Sequence, residues 1–197
     1  MEASFKPVQQ KYKRREVKIF SIYSRALITR SIIIPITNIG KNIQETIEKN
    51  ISGQFEGKCI VEGFVKPNSS KIITFSSGII QSTNILFEVV FECQVCCPVE
   101  GMLIQCTAKN ITKAGIRGES VDEVPSPVVV FVTRDHNYTM PYFSKIQEND
   151  KFTARVIGQR FELNDKYVSI IAELVEPKEK QEYTKKEPAK AKLIIED

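Results

Sequence analysis

The residues best suited to chemistry are few, and their types do not converge on one reaction. Cys93-x-x-Cys96-Cys97 has the spacing of half a tetrahedral metal site, yet Cys59 and Cys106 stand alone in other stretches and no second ligand pair accompanies it. Along a continuous strand, alternation sends Cys93 and Cys96 to opposite faces, so these thiols read as buried structural residues and no metal ligand is assigned. The single histidine, His136, follows Arg134 and Asp135, and an acid could orient its imidazole; no motif supplies a nucleophile beside them. HExxH, GxSxG, a phosphate loop and a Gly-rich dinucleotide fingerprint are all missing from the sequence. The chain therefore reads as non-catalytic, with no catalytic residue assigned and no cofactor expected. What remains is charge: Lys109, Lys113, Arg117, Arg134, Arg155 and Arg160 punctuate a β-rich stretch that also holds Phe131, His136, Tyr138, Tyr142 and Phe143. Cations along a backbone path beside aromatic faces suit a single-stranded nucleic acid. The same cations suit an ordinary solvated surface, and the same rings suit a core.

Length and composition bound the elements that must position these residues. A chain of 197 residues with 42% hydrophobic and 26% charged residues is ordinary for one large or two small globular domains. No apolar run approaches the roughly 20 residues that span a bilayer, and the start of the chain is polar and basic, so an intracellular protein with no membrane partner is expected. Five cysteines, an odd number without a framework spacing, fit reduced thiols in a cytosolic or nuclear compartment. The net charge of +4 is too small to demand a nucleic-acid partner, although Lys11, Lys13, Arg14 and Arg15 concentrate charge in residues 1–15, which read as a basic tail. Residues 177–197 read as a charged tail ending near a small Leu193-Ile194-Ile195 cluster.

Between the tails the pattern is mainly β with one short helix, an α+β arrangement. A strand region with Ile32-Ile33-Ile34 ends at Pro35; Asn38 is the expected cap of a helix carrying Ile39, Ile43, Ile47 and Ile51 on one stripe, and Gly53 its expected terminator. Strands are expected over 57–65, 71–80 and 85–97, the last with Phe87, Val89, Phe91, Cys93 and Val95 on its core face. The turn residues Pro67, Asn68, Ser69 and Ser70, and then Ser76, Ser77 and Gly78, punctuate them and should be exposed and free to make contacts. After Pro98, five short strands over 101–110, 115–119, 128–133, 151–161 and 166–175 predict a five-stranded OB barrel. The expected organisation is a first domain over 16–97 and a barrel domain over 98–176.

The collinear order of a helix, Glu56-Gly57-Lys58-Cys59, Gly63-Phe64, Gly78-Ile79-Ile80-Gln81, Phe91, Pro98, Glu100-Gly101 and Lys113-Ala114-Gly115-Ile116 resembles the stalk subunit of multisubunit DNA-directed RNA polymerases. That family comprises the seventh polymerase subunit of eukaryotes and its archaeal counterpart. Asn149-Asp150, Val156-Ile157-Gly158 and Asn164-Asp165 are similar to its closing barrel strands, and the likeness covers roughly residues 22–176. Truncated, isoleucine-rich loops and the Cys96-Cys97-Pro98 junction depart from cellular versions and suggest a diverged copy encoded by a large DNA virus. The resemblance implies an N-terminal tip domain that docks on the polymerase core, through Pro67, Asn68, Ser69, Ser76, Ser77 and Gly78, usually beside a second stalk subunit. It implies a barrel directed toward nascent single-stranded RNA, with Lys109, Lys113, Arg117, Phe131, Arg134, His136 and Arg155 as contact residues. It implies a location in the nucleus, or in a cytoplasmic virus factory and the virion. RNA-binding barrels of this kind commonly place an aromatic after the Lys-x-Gly turn, where this chain has Ile116, so the RNA contact is expected to be weak and sequence-tolerant. The alternative function is a free-standing OB-fold accessory factor in translation or RNA decay. A third reading keeps polymerase docking and discards RNA contact.

Overall fold

The computed structural model describes residues 21–176; the basic and charged tail readings and the Leu193-Ile194-Ile195 cluster lie outside them. Among the described residues no helix is long and apolar enough to cross a membrane. The architecture is mainly β, as read: a six-stranded sheet with one long helix, followed by a closed five-stranded barrel.

The sheet is organised by two 13-residue strands, β1 (Tyr23–Pro35) and β6 (Asn84–Cys96), paired antiparallel from Tyr23 opposite Cys96 to Pro35 opposite Asn84. The other edge of β6 receives, in turn, β3 (Gly63–Val65), β4 (Lys71–Phe75) and β5 (Ile79–Gln81), while β2 (Cys59–Ile60) pairs with β3. The stretch expected as one strand over 57–65 is thus a short hairpin, and that over 71–80 is broken at Ser76–Gly78 into two pieces. Helix α1 (Ile43–Phe55) is capped by Asn42, whose side chain accepts from the Glu45 N–H, and not by Asn38, which lies in a 3-10 turn. Gly53 lies within α1, which continues to Phe55, whose ring stacks on Phe91 at 5.8 Å. Ile47 and Ile51 bury fully against the alternate β6 residues Phe87, Val89, Phe91, Cys93 and Val95; Ile39 and Ile43 only flank this core.

The barrel closes in the order β10-β11-β9-β8-β7, from β7 (Leu103–Ile111), β8 (Gly115–Ser120), β9 (Val128–Thr133), β10 (Lys151–Arg160) and β11 (Val168–Val175). Its one parallel pair is β9 with β11; the connection from β9 to β10 carries the four-residue helix α2 (Arg134–Asn137). Asn137 is fully buried and ties α2 down, donating to the Thr133 carbonyl at 2.8 Å and accepting from the Leu174 N–H at 2.9 Å.

The two units meet at a corner buried on both faces. In the row Cys59, Phe64, Cys96, the side chains join the barrel core with Ile22, while their neighbours Ile60, Val65 and Val95 join the first core. Alternation within one strand thereby supplies two cores, and Cys93 and Cys96 do fall on opposite sides. Gly63 sits in this corner at φ +130, where a Cβ would come within 2.5 Å of the Cys96 carbonyl oxygen. The barrel's 161–167 loop extends the corner: Cys59 N–H donates to the Asp165 carbonyl at 2.7 Å, and Asn164 N–H donates to the Cys59 carbonyl at 2.8 Å.

Candidate nucleic-acid interface

Strand alternation on β8 turns Ile116, Gly118 and Ser120 inward and Arg117 and Glu119 outward. Cross-strand register then builds one outward row: Asn110 on β7, Arg117 on β8, Phe131 on β9 and Ile171 on β11. Phe131 is 40% exposed, and the Arg117 guanidinium is held only loosely, 3.8 Å from Glu119. At the end of this row the β7–β8 turn closes through the Thr112 N–H to the Gly115 carbonyl at 2.9 Å, leaving Lys113 exposed at its apex. Gly115 is required there: at φ +153 a Cβ would sit 2.2 Å from the Val132 carbonyl oxygen. The Arg134 N–H donates to the Ala114 carbonyl at 2.9 Å, which brings the start of α2 against the turn, and the Arg134 guanidinium lies over the Phe143 ring at 5.6 Å.

The fold therefore gathers Lys113, Arg117, Phe131 and Arg134 at one end of β8 and β9. Lys109 is exposed in the bulge between Ala108 and Asn110, and His136 is exposed further along α2. Arg155 is not brought to the cluster: it is on β10, which neighbours β7 and β11 only, and it is ion-paired to Glu173 at 2.8 Å. Phe143, a candidate stacking ring, is buried; Tyr138 is exposed. Ile116 is a barrel-core residue at 2% exposure, so the departure noted after the Lys-x-Gly turn removes nothing from the surface. The exposed ring beside the cations is Phe131, contributed by the next strand.

A groove of about 700 Å³ continues from Arg117 between the β2–β3 hairpin, the 121–127 loop and the 161–167 loop. Its lining adds Lys58, Lys166 and Tyr167, which sequence reasoning did not single out; Tyr167 is 45% exposed. Lys166-Tyr167, a cation beside a ring at the β10–β11 connection, was a legible signal, because that loop borders the ligand face of small barrels. Nothing local marks Lys58, which reaches the groove only through packing of the hairpin. Beside the groove, Tyr23 donates to a Glu123 carboxylate oxygen at 2.8 Å, Lys66 pairs with the same carboxylate, and its ammonium lies 4.9 Å from the Tyr23 ring centroid. Burial pushes the Tyr23 hydroxyl up, and the Glu123 carboxylate adds to it.

The turn residues expected at a docking surface divide. Pro67 and Asn68 are exposed, but Pro67 lines the groove, and the Glu56 carboxylate clamps the turn by accepting the Asn68 and Ser70 N–H groups, each at 2.9 Å. Burial opposes charge on Glu56, yet these bonds and the Ser52 hydroxyl outweigh it and hold the carboxyl below its ordinary range. Ser69 donates to the Lys66 carbonyl at 2.6 Å, and the Ser76 hydroxyl accepts from the Glu88 N–H at 3.0 Å, so both are structural. Ser77 is exposed, and Gly78, at φ +85, packs against Phe87 and Ile85. Immediately after them, Ile79 and Ile80 are 61% and 72% exposed, with Ile33 and Ile36 also open at this end of the sheet. These apolar residues were not marked as contacts by the sequence.

All five cysteines are free thiols. Burial pushes Cys59 and Cys93 up to about 11, and Cys96 and Cys106 up to about 12. Cys59 and Cys96 flank Phe64 in neighbouring strands; two strand spacings, about 9.6 Å, exceed the span a disulfide bridges. No group of three or more His, Cys, Asp or Glu among the described residues is arranged to hold a metal ion.

No protein-family model matches the chain. A protein of Acanthamoeba polyphaga mimivirus named "Putative DNA-directed RNA polymerase subunit" is 25% identical over 160 residues, which cover 73% of this chain and 77% of that protein.

Proposed function

We propose that the chain is a non-catalytic, stalk-type subunit of a virally encoded DNA-directed RNA polymerase, docked on the polymerase core by its first domain, residues 16–97, and contacting nascent RNA with its barrel, residues 98–176. The observation that carries this reading is the similarity to the mimivirus protein over most of both chains. It is joined by a sheet-plus-barrel order that matches the stalk-subunit resemblance. A closed barrel with its helix between the third and fourth strands supports the OB assignment.

Docking on the core is attributed to the end of the sheet that holds Ser77, Gly78, Ile79, Ile80 and Ile36. Exposed apolar side chains clustered at one end cost solubility and mark an interaction surface. RNA contact is attributed to Lys113, Arg117 and Arg134 beside Phe131, with Lys109 and His136 at the margin. A second stalk subunit, where the polymerase has one, completes the assembly.

The test is capture of a tagged chain from infected cells, with the co-purifying proteins weighed. Large polymerase subunits are expected with the wild type and are lost from an Ile79→Asp/Ile80→Asp variant that melts normally. A complex devoid of polymerase subunits overturns the proposal and favours the accessory-factor reading.

A further inference from the structure

We propose that the outward face of β7, β8 and β9 holds a pocket for one unpaired nucleobase, stacked on Phe131. This rests on the RNA reading above and deepens it, from charge attraction along a backbone to a seat for a base. A cavity of about 290 Å³ opens beside Phe131 and Arg117, walled by Asn110, Thr112, Gly115 and Thr133. Its wall is predominantly apolar.

That chemistry selects the ligand. A phosphate is strongly hydrated and gains nothing from a carbon wall, whereas the face of a base is apolar and its edge carries donors and acceptors. The Phe131 ring is exposed, and register places it directly opposite Arg117, with Asn110 next in the row. A base lying on the ring meets a guanidinium and an amide at its edge. Ile171, paired with Phe131 from the neighbouring strand, is also exposed.

The chain contains no tryptophan, so Phe131→Trp gives a single-tryptophan reporter at the seat. The probes are oligouridine and an abasic oligonucleotide of the same length and charge, titrated at low salt. Wild type and Phe131→Trp are expected to bind oligouridine more tightly than the abasic strand, and the tryptophan emission is expected to be quenched by oligouridine only. Phe131→Leu, which keeps an apolar side chain without the ring, is expected to weaken oligouridine binding about 5- to 150-fold, the range measured for one base–aromatic stack. Its salt dependence is expected to stay as in wild type, because no phosphate contact is removed. If wild type binds both strands equally and Phe131→Leu changes nothing, the base seat is refuted while charge-based RNA binding stands. If wild type binds neither strand, both readings fall together.

Discussion

Replacing Lys113, Arg117 and Arg134 together with alanine should flatten the salt dependence of single-stranded RNA binding by an amount fixed by their surroundings. Each cation that neutralises a phosphate on a single strand contributes about 0.7 to the slope of log affinity against log salt. Lys113 is exposed at a turn apex, and Arg134 is exposed with its guanidinium over a ring, so each counts in full. Arg117 already has Glu119 at 3.8 Å, so its share lies between nothing and a full contact. The slope should therefore fall by about 1.4 to 2.1, which means that raising salt from 50 to 200 mM costs the wild type about 7- to 18-fold more affinity than the variant. Fluorescence anisotropy with a labelled oligonucleotide at four salt concentrations reads this directly. Arg155→Ala is the internal control: it carries the same charge, but Glu173 holds it on the wrong strand, and its slope should match wild type. Parallel lines for wild type and triple variant, or an Arg155 effect as large as the others, would refute the assignment of the binding face.

Two further outcomes concern the scaffold that holds this face. Gly115→Ala should destabilise the protein by about 2–4 kcal/mol in urea melts, since the new Cβ meets the Val132 carbonyl at 2.2 Å in a backbone conformation that side chains avoid; a loss under 0.5 kcal/mol would show that the turn relaxes freely. Glu56→Gln should cost about 1–2 kcal/mol at neutral pH, after discounting three charge-assisted bonds for solvent exposure. Because the folded carboxyl titrates below its ordinary 4.5, its contribution is complete above that pH and fades as acid is added, so wild type and variant should converge in melts taken toward pH 3.

Much of the fold was legible because it follows from side-chain period. The β-branched runs located all five barrel strands to within two residues at each end, and the alternation of β6 named its buried face correctly. The helix start was not legible: Asn38 and Asn42 have the same capping chemistry, and what separates them is the 3-10 turn from Ile36 to Asn38. Gly53 misled for a similar reason, since Phe55 stacking on Phe91 carries the helix past it. At the candidate site, the sequence supplied the cations and Phe131 but mistook Ile116 for a surface position. Local pattern reports that a residue alternates; it does not report which partner strand covers it. Lys58 and Arg155 show the limit most clearly, one recruited to the groove and one held away from the cluster by contacts between residues far apart in the chain.

The single strand β6 has a mechanical consequence. Its first residues pair with the hairpin arm that bears the open isoleucines, and its last, Cys96, is a wall of the barrel interior. Thirteen residues of antiparallel strand reach about 44 Å, with no joint along the way. A load applied at the exposed isoleucines would travel down one covalent beam to Cys96, whose side chain already packs in the barrel core. Anchoring the far end thus fixes the direction in which the barrel's cationic face points, as a bracket fixes the aim of a lamp.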